Sequence, residues 1–343
     1  MQLILIRGNA MAVTQLTDVI IPDEFTAYQV ENSLVSTALS QSGVVATNAL
    51  IAAQLQAGSE QFNVPFWNDL PDVEADITSD DPTTLSTPQK VSASKQVVRK
   101  SFLHASWSEM SLASELSGDS ALQRIQDRVS AYWDRQFEKR VIATLLGVLA
   151  SNVANNASDM VVDISGGSGT AADFNGTSVI DTALTMGDRL GDVKMIAMHS
   201  HIYGEALKND EITFFKPSEN GVEIATYKGM GVIVDDNLTP ASGVYTTILM
   251  GAAAVGFATS APRTGYGTEL FRKPDAGNGG GQTTLHSRMN VGVHPLGYAW
   301  SDGTGGSAVA GDSPTIADLS VAAHWTRVVS QRKSVPLAFL ISK

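Results

Sequence analysis

Between positions 119 and 152 the chain reads DSALQRIQDRVSAYWDRQFEKRVIATLLGVLASN, with no proline and no glycine before Gly147. Apolar side chains recur at Leu122, Ile125, Val129, Tyr132 or Trp133, Phe137, Val141, Leu145 and Val148. A spacing of three to five residues predicts one continuous amphipathic helix. Ser120 and Gln123 read as a capping box, in which each side chain satisfies an amide orphaned at the helix start. The asparagines from position 152 to 156 mark the stop. At 1.5 Å per residue the helix is about 50 Å long, well beyond the ordinary globular helix. Something large must lie along it. The spacing drifts from a strict heptad, so the expected cover is the chain's own sheet and not a coiled-coil partner.

With 343 residues, 43% of them hydrophobic and 17% charged, the chain can bury a sizeable core in two or three units or in one elongated one. A formal net charge of −12 argues against a general DNA- or RNA-binding protein, whose affinity comes from clustered Lys and Arg. There are no cysteines, which excludes disulfides and thiolate metal sites. The opening MQLILIRGNAM lacks the basic region and apolar core of a signal peptide, and Met11 offers an alternative start that would make residues 1–10 an extension. No run of eighteen apolar residues occurs, so no transmembrane helix and no membrane partner are expected.

Residues 22–56 read as a helix, a break at Gly43 and a second short helix. Residues 62–72 (FNVPFWNDLPD) read as an extended crossing strand. An acidic run follows at Asp69, Asp72, Glu74, Asp76, Asp80 and Asp81, without the glycine and terminal glutamate of a calcium loop, so a solvated or partner-facing surface is expected. Residues 87–107 (TPQKVSASKQVVRKSFLHASW) carry Lys90, Lys95, Arg99 and Lys100 and read as a two-stranded hairpin reversing near 94–96. Neither face of that hairpin is cleanly apolar. The basic hairpin and the acidic run are therefore candidates for contacts between subunits, where opposite charge fixes register.

Beyond the long helix the pattern predicts a helix at 178–190, a buried strand at 193–198, a helix at 202–209 and two strands within 222–236. Further β segments are expected at 245–258 and 268–273, a long strand at 283–300 breaking near Pro295, a helix at 314–332 and a closing strand at 336–341. Together these give an α+β fold.

No constellation for catalysis emerges. His199 and His201 flank Ser200 after an apolar strand, yet no third ligand stands at a recognisable spacing. His104, His286, His294 and His324 are isolated in sequence. The run Gly166-Gly167-Ser168-Gly169-Thr170 fails the nucleophile-elbow pattern at its final position. No catalytic, metal or cofactor residues are assigned, and the chain does not read as an enzyme.

The order of parts resembles that of tailed-bacteriophage major capsid proteins of the HK97-like fold. The phrases carrying the resemblance are VPFWNDL at 64–70, MHSHIY at 198–203, TYKGMGVIVDD at 226–236, LHSRMNVGVHPLGYAW at 285–300 and SPTIADLSVAAHWTRV at 313–328. The resemblance implies an N-terminal arm (11–60), an extended β-hairpin or E-loop (84–115) and a peripheral domain (61–83 and 116–175) containing the spine helix (119–153). It further implies an axial domain (176–260), peripheral return strands (261–300) and a C-terminal segment re-entering the axial domain (301–343). Arg288 would lie on a strand returning beside the spine helix, with residues 298–300 closing that sheet. The implied function is a structural subunit assembling into the icosahedral head around double-stranded DNA, without sequence-specific binding and without cofactors. Implied partners are further copies in pentamers and hexamers, with scaffolding, portal and decoration proteins. The implied location is the virion, after assembly in the host cytoplasm. Some members of the family crosslink a hairpin lysine to a neighbour's asparagine. Lys90, Lys95 and Lys100 are available, but no acceptor or catalytic acid is recognisable, so crosslinking is not expected. An encapsulin-like compartment shell and a soluble α/β enzyme are the alternatives.

Overall fold

A computed structural model describes Leu39 and residues 44–343, apart from 71, 79, 84, 216–223, 239–240, 304–307 and 310. The first helix and the Gly43 break expected within 22–56, and residues 1–10, lie outside the described residues. The second short helix is present as α1 (Ala49–Leu55), capped by the Asn48 side chain and preceded by a strand, β1 (Val45–Thr47). There follow β2 (Gln61–Trp67), β3 (Ala93–Met110), α2 (Ser111–Ser117) and the long helix α3 (Ala121–Asn155). The second half of the chain holds β4 (Val161–Asp163), α4 (Gly176–Leu184), β5 (Val193–Met198), α5 (Ser200–Lys208), β6 (Ile212–Phe215), β7 (Ile224–Tyr227) and β8 (Met230–Val234). It continues through β9 (Tyr245–Gly251), β10 (Val255–Ser260), β11 (Thr268–Lys273), β12 (Gln282–Pro295), β13 (Tyr298–Trp300), α6 (Ile316–Leu319), β14 (Trp325–Arg327) and β15 (Leu337–Ser342).

The 35 residues of α3 span about 52 Å. Its N-cap is half of the expected box. The Ser120 hydroxyl accepts from the Gln123 amide, but the Ser120 amide goes to the Asp119 carboxylate, while the Gln123 side chain turns to Asp127. Burial along the helix is uneven. The first three turns are largely open, whereas from Trp133 onward the apolar stripe widens until Val141, Ile142, Ala143, Thr144 and Leu145 are all buried. Two sheets meet there.

The first sheet has the order β1-β10-β12-β3-β2, with β11 on the other edge of the β12 N-terminal half. Leu103, Ala105 and Met289 face the helix, Trp107 lies edge-on to Tyr132, and the Trp133 indole donates to the Ser287 hydroxyl at 2.9 Å. The second sheet has the order β4-β15-β9-β5-β8-β7-β6 and brings Ile248, Met250, Leu337 and Phe339 to the same core. Its other face is covered by α4 and α5 through Val179, Ala183, Ile202 and Ala206. A polar clamp closes the C-terminal end of α3. Asp159 receives two bonds from Arg327 (2.7 and 3.0 Å) and one from Asn152, while Arg332 donates to Leu337 O and Thr185 Oγ1.

Three sequence expectations are corrected. The hairpin within 87–107 does not reverse at 94–96, because β3 runs unbroken from Ala93 to Met110. Its partner is β2, in a register from Gln61↔Arg99 to Trp67↔Ala93. Ser94–Lys95–Gln96 offers no Gly, Asn, Asp or Pro to turn on, whereas the connecting loop 68–92 begins with Asn68, Asp69 and Pro71. The helix at 314–332 shrinks to α6, which has a full capping box between Thr315 and Asp318, and then gives way to a 3-10 turn and β14. Packing overrides propensity here: Trp325 donates its indole N–H to Leu319 O at 2.8 Å, and Tyr298↔Arg327 pairing draws the chain into a strand. The helix at 178–190 ends at Leu184, followed by a 3-10 segment opening on Gly187 at φ +60°.

Gly147 is where α3 and the 319–325 segment touch. A Cβ there would lie 2.1 Å from Leu319 O and 2.5 Å from Trp325 Nε1. Neither the helix nor the Trp325 anchor can retreat cheaply. Gly147→Ala is therefore expected to destabilise the subunit by about 2 kcal/mol or more, despite alanine's better helix propensity; urea unfolding of the unassembled chain measures it.

His294 on β12 is buried, with Nε2 3.0 Å from Gln96 Oε1 and Nδ1 without a partner. Burial pushes its pKa down from 6.5 to about 4. The fold accommodates the neutral ring, so nothing is lost above pH 6.5. As pH falls below 6.5, the unfolded chain takes up a proton that the folded chain refuses until about pH 4. Unfolding free energy is expected to fall by about 2 kcal/mol from this group between about pH 7 and about pH 5. The His294→Gln subunit should lose that part of the slope in the same titration.

Candidate assembly interface

The β2–β3 pair leaves the first sheet as an extension whose root is tied down from three sides. Arg99, with a side chain only 5% exposed, donates to Glu60 Oε2 at 2.7 Å and Asp312 O at 3.0 Å, and its Nε lies 3.3 Å from Asp302. Asp302 also accepts from the Gln61 side-chain Nε2 and, at 2.8 Å, from the Trp300 indole. Lys100 is fully buried, donates to Ala57 O at 2.7 Å and lies over the Phe62 ring. Burial lowers its pKa. The four cations proposed from sequence thus divide in two. Arg99 and Lys100 fasten the root within the subunit, and Lys90 and Lys95 stand exposed further out.

All six acids of the run, Asp69, Asp72, Glu74, Asp76, Asp80 and Asp81, are exposed in the 68–92 loop. Asp81 accepts from the Thr83 amide and hydroxyl, which holds its carboxyl below the usual range. Among and around them are Trp67 (75% exposed), Leu70, Val73, Ile77 (89%), Leu85 and Val91. Single exposed apolar residues are ordinary, but six on one extension mark a surface meant for protein contact.

A second open surface is the sheet face turned away from α3. Phe102, His104, Ser106, His286, Arg288, Glu269 and Phe271 share it by the β3–β12–β11 register. The histidines, isolated in sequence, are neighbours here. His104 Nε2 lies 3.1 Å from His286 Nδ1, with Arg288 paired to Glu269 at 3.0 Å alongside. Burial, then His286 and Arg288, lower the His104 pKa. Strand register brings this pair together, and a sequence reading of β3 as two strands hides it. A third surface is the β6–β7 end of the second sheet, where Phe214, Phe215 and Ile224 are exposed.

His199 and His201 do not share a strand face, because β5 ends at Met198. His199 caps α5 by accepting from the His201 amide at 3.0 Å, and the His201 ring stacks on Tyr245 at 4.9 Å. Among the described residues no group of three His, Asp or Glu is placed to hold a metal ion. No helix among them is long and apolar enough to cross a membrane.

A family profile described as Gp13-like, Major capsid protein 13-like, matches residues 117–336. Over 334 residues the chain is 34% identical to the major capsid protein of Bacillus phage SPP1, covering 94% of this chain and 96% of that one. Among solved structures, the capsid of cyanophage Pam1 aligns with a TM-score of 0.57 at 11% identity, over 97% of this chain and 99% of the other. A structure of Microbacterium phage Oxtober96 aligns at 0.54 and 12% identity, over 95% and 98%. Two sheets clasping one long helix, with a strand pair extending from the first sheet, make the HK97-like fold, and the chain belongs to the Gp13-like major capsid proteins.

Proposed function

We propose that the head built from this subunit encloses packaged double-stranded DNA without sequence-specific contact, and that assembly precedes release from the host cytoplasm. The observation carrying the reading is the β2–β3 extension with its six exposed apolar residues, which a neighbouring copy would bury in a shell. In this reading residues 11–60 are the arm, and of residues 84–115 those up to Arg99 belong to the extension, because Lys100–Met110 pair with β12 in the core. The peripheral domain is the α3-backed sheet, and the axial domain is the seven-stranded sheet, which β15 re-enters from the C-terminal segment. The axial domains surround five- and six-fold axes through heterologous contacts, whose closure limits assembly. Portal, scaffolding and decoration proteins complete the head. The net charge of −12 keeps the wall from adhering to the genome.

The subunit is held in the shell by non-covalent contacts alone. Of the three lysines considered for crosslinking, Lys100 is committed to Ala57 O, and only Lys90 and Lys95 remain exposed. Electron microscopy of the purified full-length chain is expected to show closed shells, whereas a stable small oligomer would overturn the reading. Denaturing electrophoresis of those shells should give a single band at the subunit mass of 36.2 kDa, and a covalent ladder would contradict the non-covalent account.

A further inference from the structure

Two arginines are buried where the spine helix meets the root of the extension: Arg140 on α3 is 7% exposed and Arg99 on β3 is 6% exposed. A buried guanidinium needs acceptors for its N–H groups and a counter-charge for its cation. Arg99 has both, since Glu60 and Asp302 pair with it. Arg140 has acceptors only. It donates to the Ser101 hydroxyl and to Pro314 O, each at 3.2 Å, and among the described residues it enters no ion pair. Burial pushes its pKa down to about 10, with no neighbouring acid to offset the shift.

The unused donors are the two Nε–H groups, both buried and both without a hydrogen-bond partner. Arg99 Nε lies 3.3 Å from Asp302, but without the alignment of a hydrogen bond. Both arginines line a cavity of about 10 Å³, whose wall is completed by Ser101, Val293, Trp300, Leu319 and Trp325. That volume holds one small particle. Ser101 Oγ accepts from Arg140, which leaves its own hydrogen free to donate. The two indole N–H groups are engaged elsewhere, with Asp302 and with Leu319 O. The wall therefore presents donors, and its one side-chain acceptor is already occupied. A water inside could accept from these donors but would leave a proton of its own without a partner. An anion has only acceptor sites to satisfy, and its hydrogen bonds from charged donors are the stronger kind.

We propose that this cavity is a halide site, filled by chloride, which accepts from Arg99 Nε, Arg140 Nε and the Ser101 hydroxyl and supplies the counter-charge that Arg140 lacks. A monatomic anion fits the volume, whereas sulfate, phosphate and carboxylates do not. The ion joins β3 to α3 and to the 319–325 segment at the point where the extension leaves the core. The site lies within one subunit, so it stands whether or not the chain closes shells.

The test is urea unfolding of the full-length, unassembled chain, because urea adds no halide, in sodium chloride, sodium bromide and sodium gluconate at one ionic strength. As halide replaces gluconate, the parent midpoint is expected to rise saturably, by about 0.3 M urea or more. Ser101→Ala removes a donor, and Arg140→Lys keeps the charge but removes the Nε–H. Both variants are expected to lose the halide-dependent part of the midpoint, whatever their stability in gluconate. Equal parent midpoints in all three salts would overturn the proposal and leave water in the cavity. A halide effect of undiminished size in both variants would overturn it too, since the effect would then arise elsewhere. A second reading needs no variant, because Trp300 and Trp325 stand in the wall. Bromide is expected to quench their emission saturably and chloride to relieve that quenching by competition; quenching that rises linearly and ignores chloride would contradict the site.

Discussion

Everything in this subunit depends on burying the second half of one helix on every side. A helix with a single apolar stripe needs one sheet; α3 from Trp133 to Asn152 needs two, because Val141 to Leu145 leave no face for water. The first sheet takes one side through β3 and β12, and the second takes another through β9 and β15. The remaining opening is filled by the 319–325 segment, pressed so close that only glycine fits at position 147. Two polar residues inside this core, Arg140 and Glu138, are tied to backbone: Arg140 donates to Pro314 O and Glu138 accepts from the Leu39 amide. Each tie fastens a sequence-distant segment to the helix, so the spine organises the chain by hydrogen bonds as well as by packing.

This arrangement explains what was legible in the sequence. The length of α3, the bounds of β5 and β11, and the break of the long strand after Pro295 follow from periodicity and turn chemistry, which are local. The failures are mostly non-local, although the early end of α4 before Gly187 is a local one. Residues 314–332 have helical spacing at Leu319, Ala322, Trp325 and Val329, but Trp325 is claimed by α3 and β13, and the helix is lost after one turn. The strand partner of β3 lies across a 25-residue loop, a separation that local turn signals do not reveal. At the surface, the acidic run and its exposure were readable. The division of the four basic residues into two buried and two exposed was not, since burial of Lys100 depends on Ala57 and Phe62 from elsewhere in the chain.

The division has a physical logic. A cation at the root of a projecting strand pair is screened weakly and held by several acceptors, so it fixes direction. Cations farther out are solvated and contribute little until a partner excludes water from them. The same contrast separates Asp302, which gathers Arg99, Gln61 and Trp300 at the root, from Asp72 or Asp76, which are exposed and form no ion pair among the described residues.

One strand, β3, belongs to both regions: Ala93 to Arg99 pair with β2 in the extension, and Lys100 to Met110 pair with β12 in the core. No turn, bulge or glycine separates the two stretches. A pull on the outer end is therefore passed along the strand axis without a joint to absorb it. The ladder bonds lie across that axis, so they share the load in shear and cannot be opened one at a time from an end. A neighbour that grips the loop is mechanically coupled to the sheet under the spine, and tension in the shell wall is carried by the backbone of each tile, not by its side chains alone.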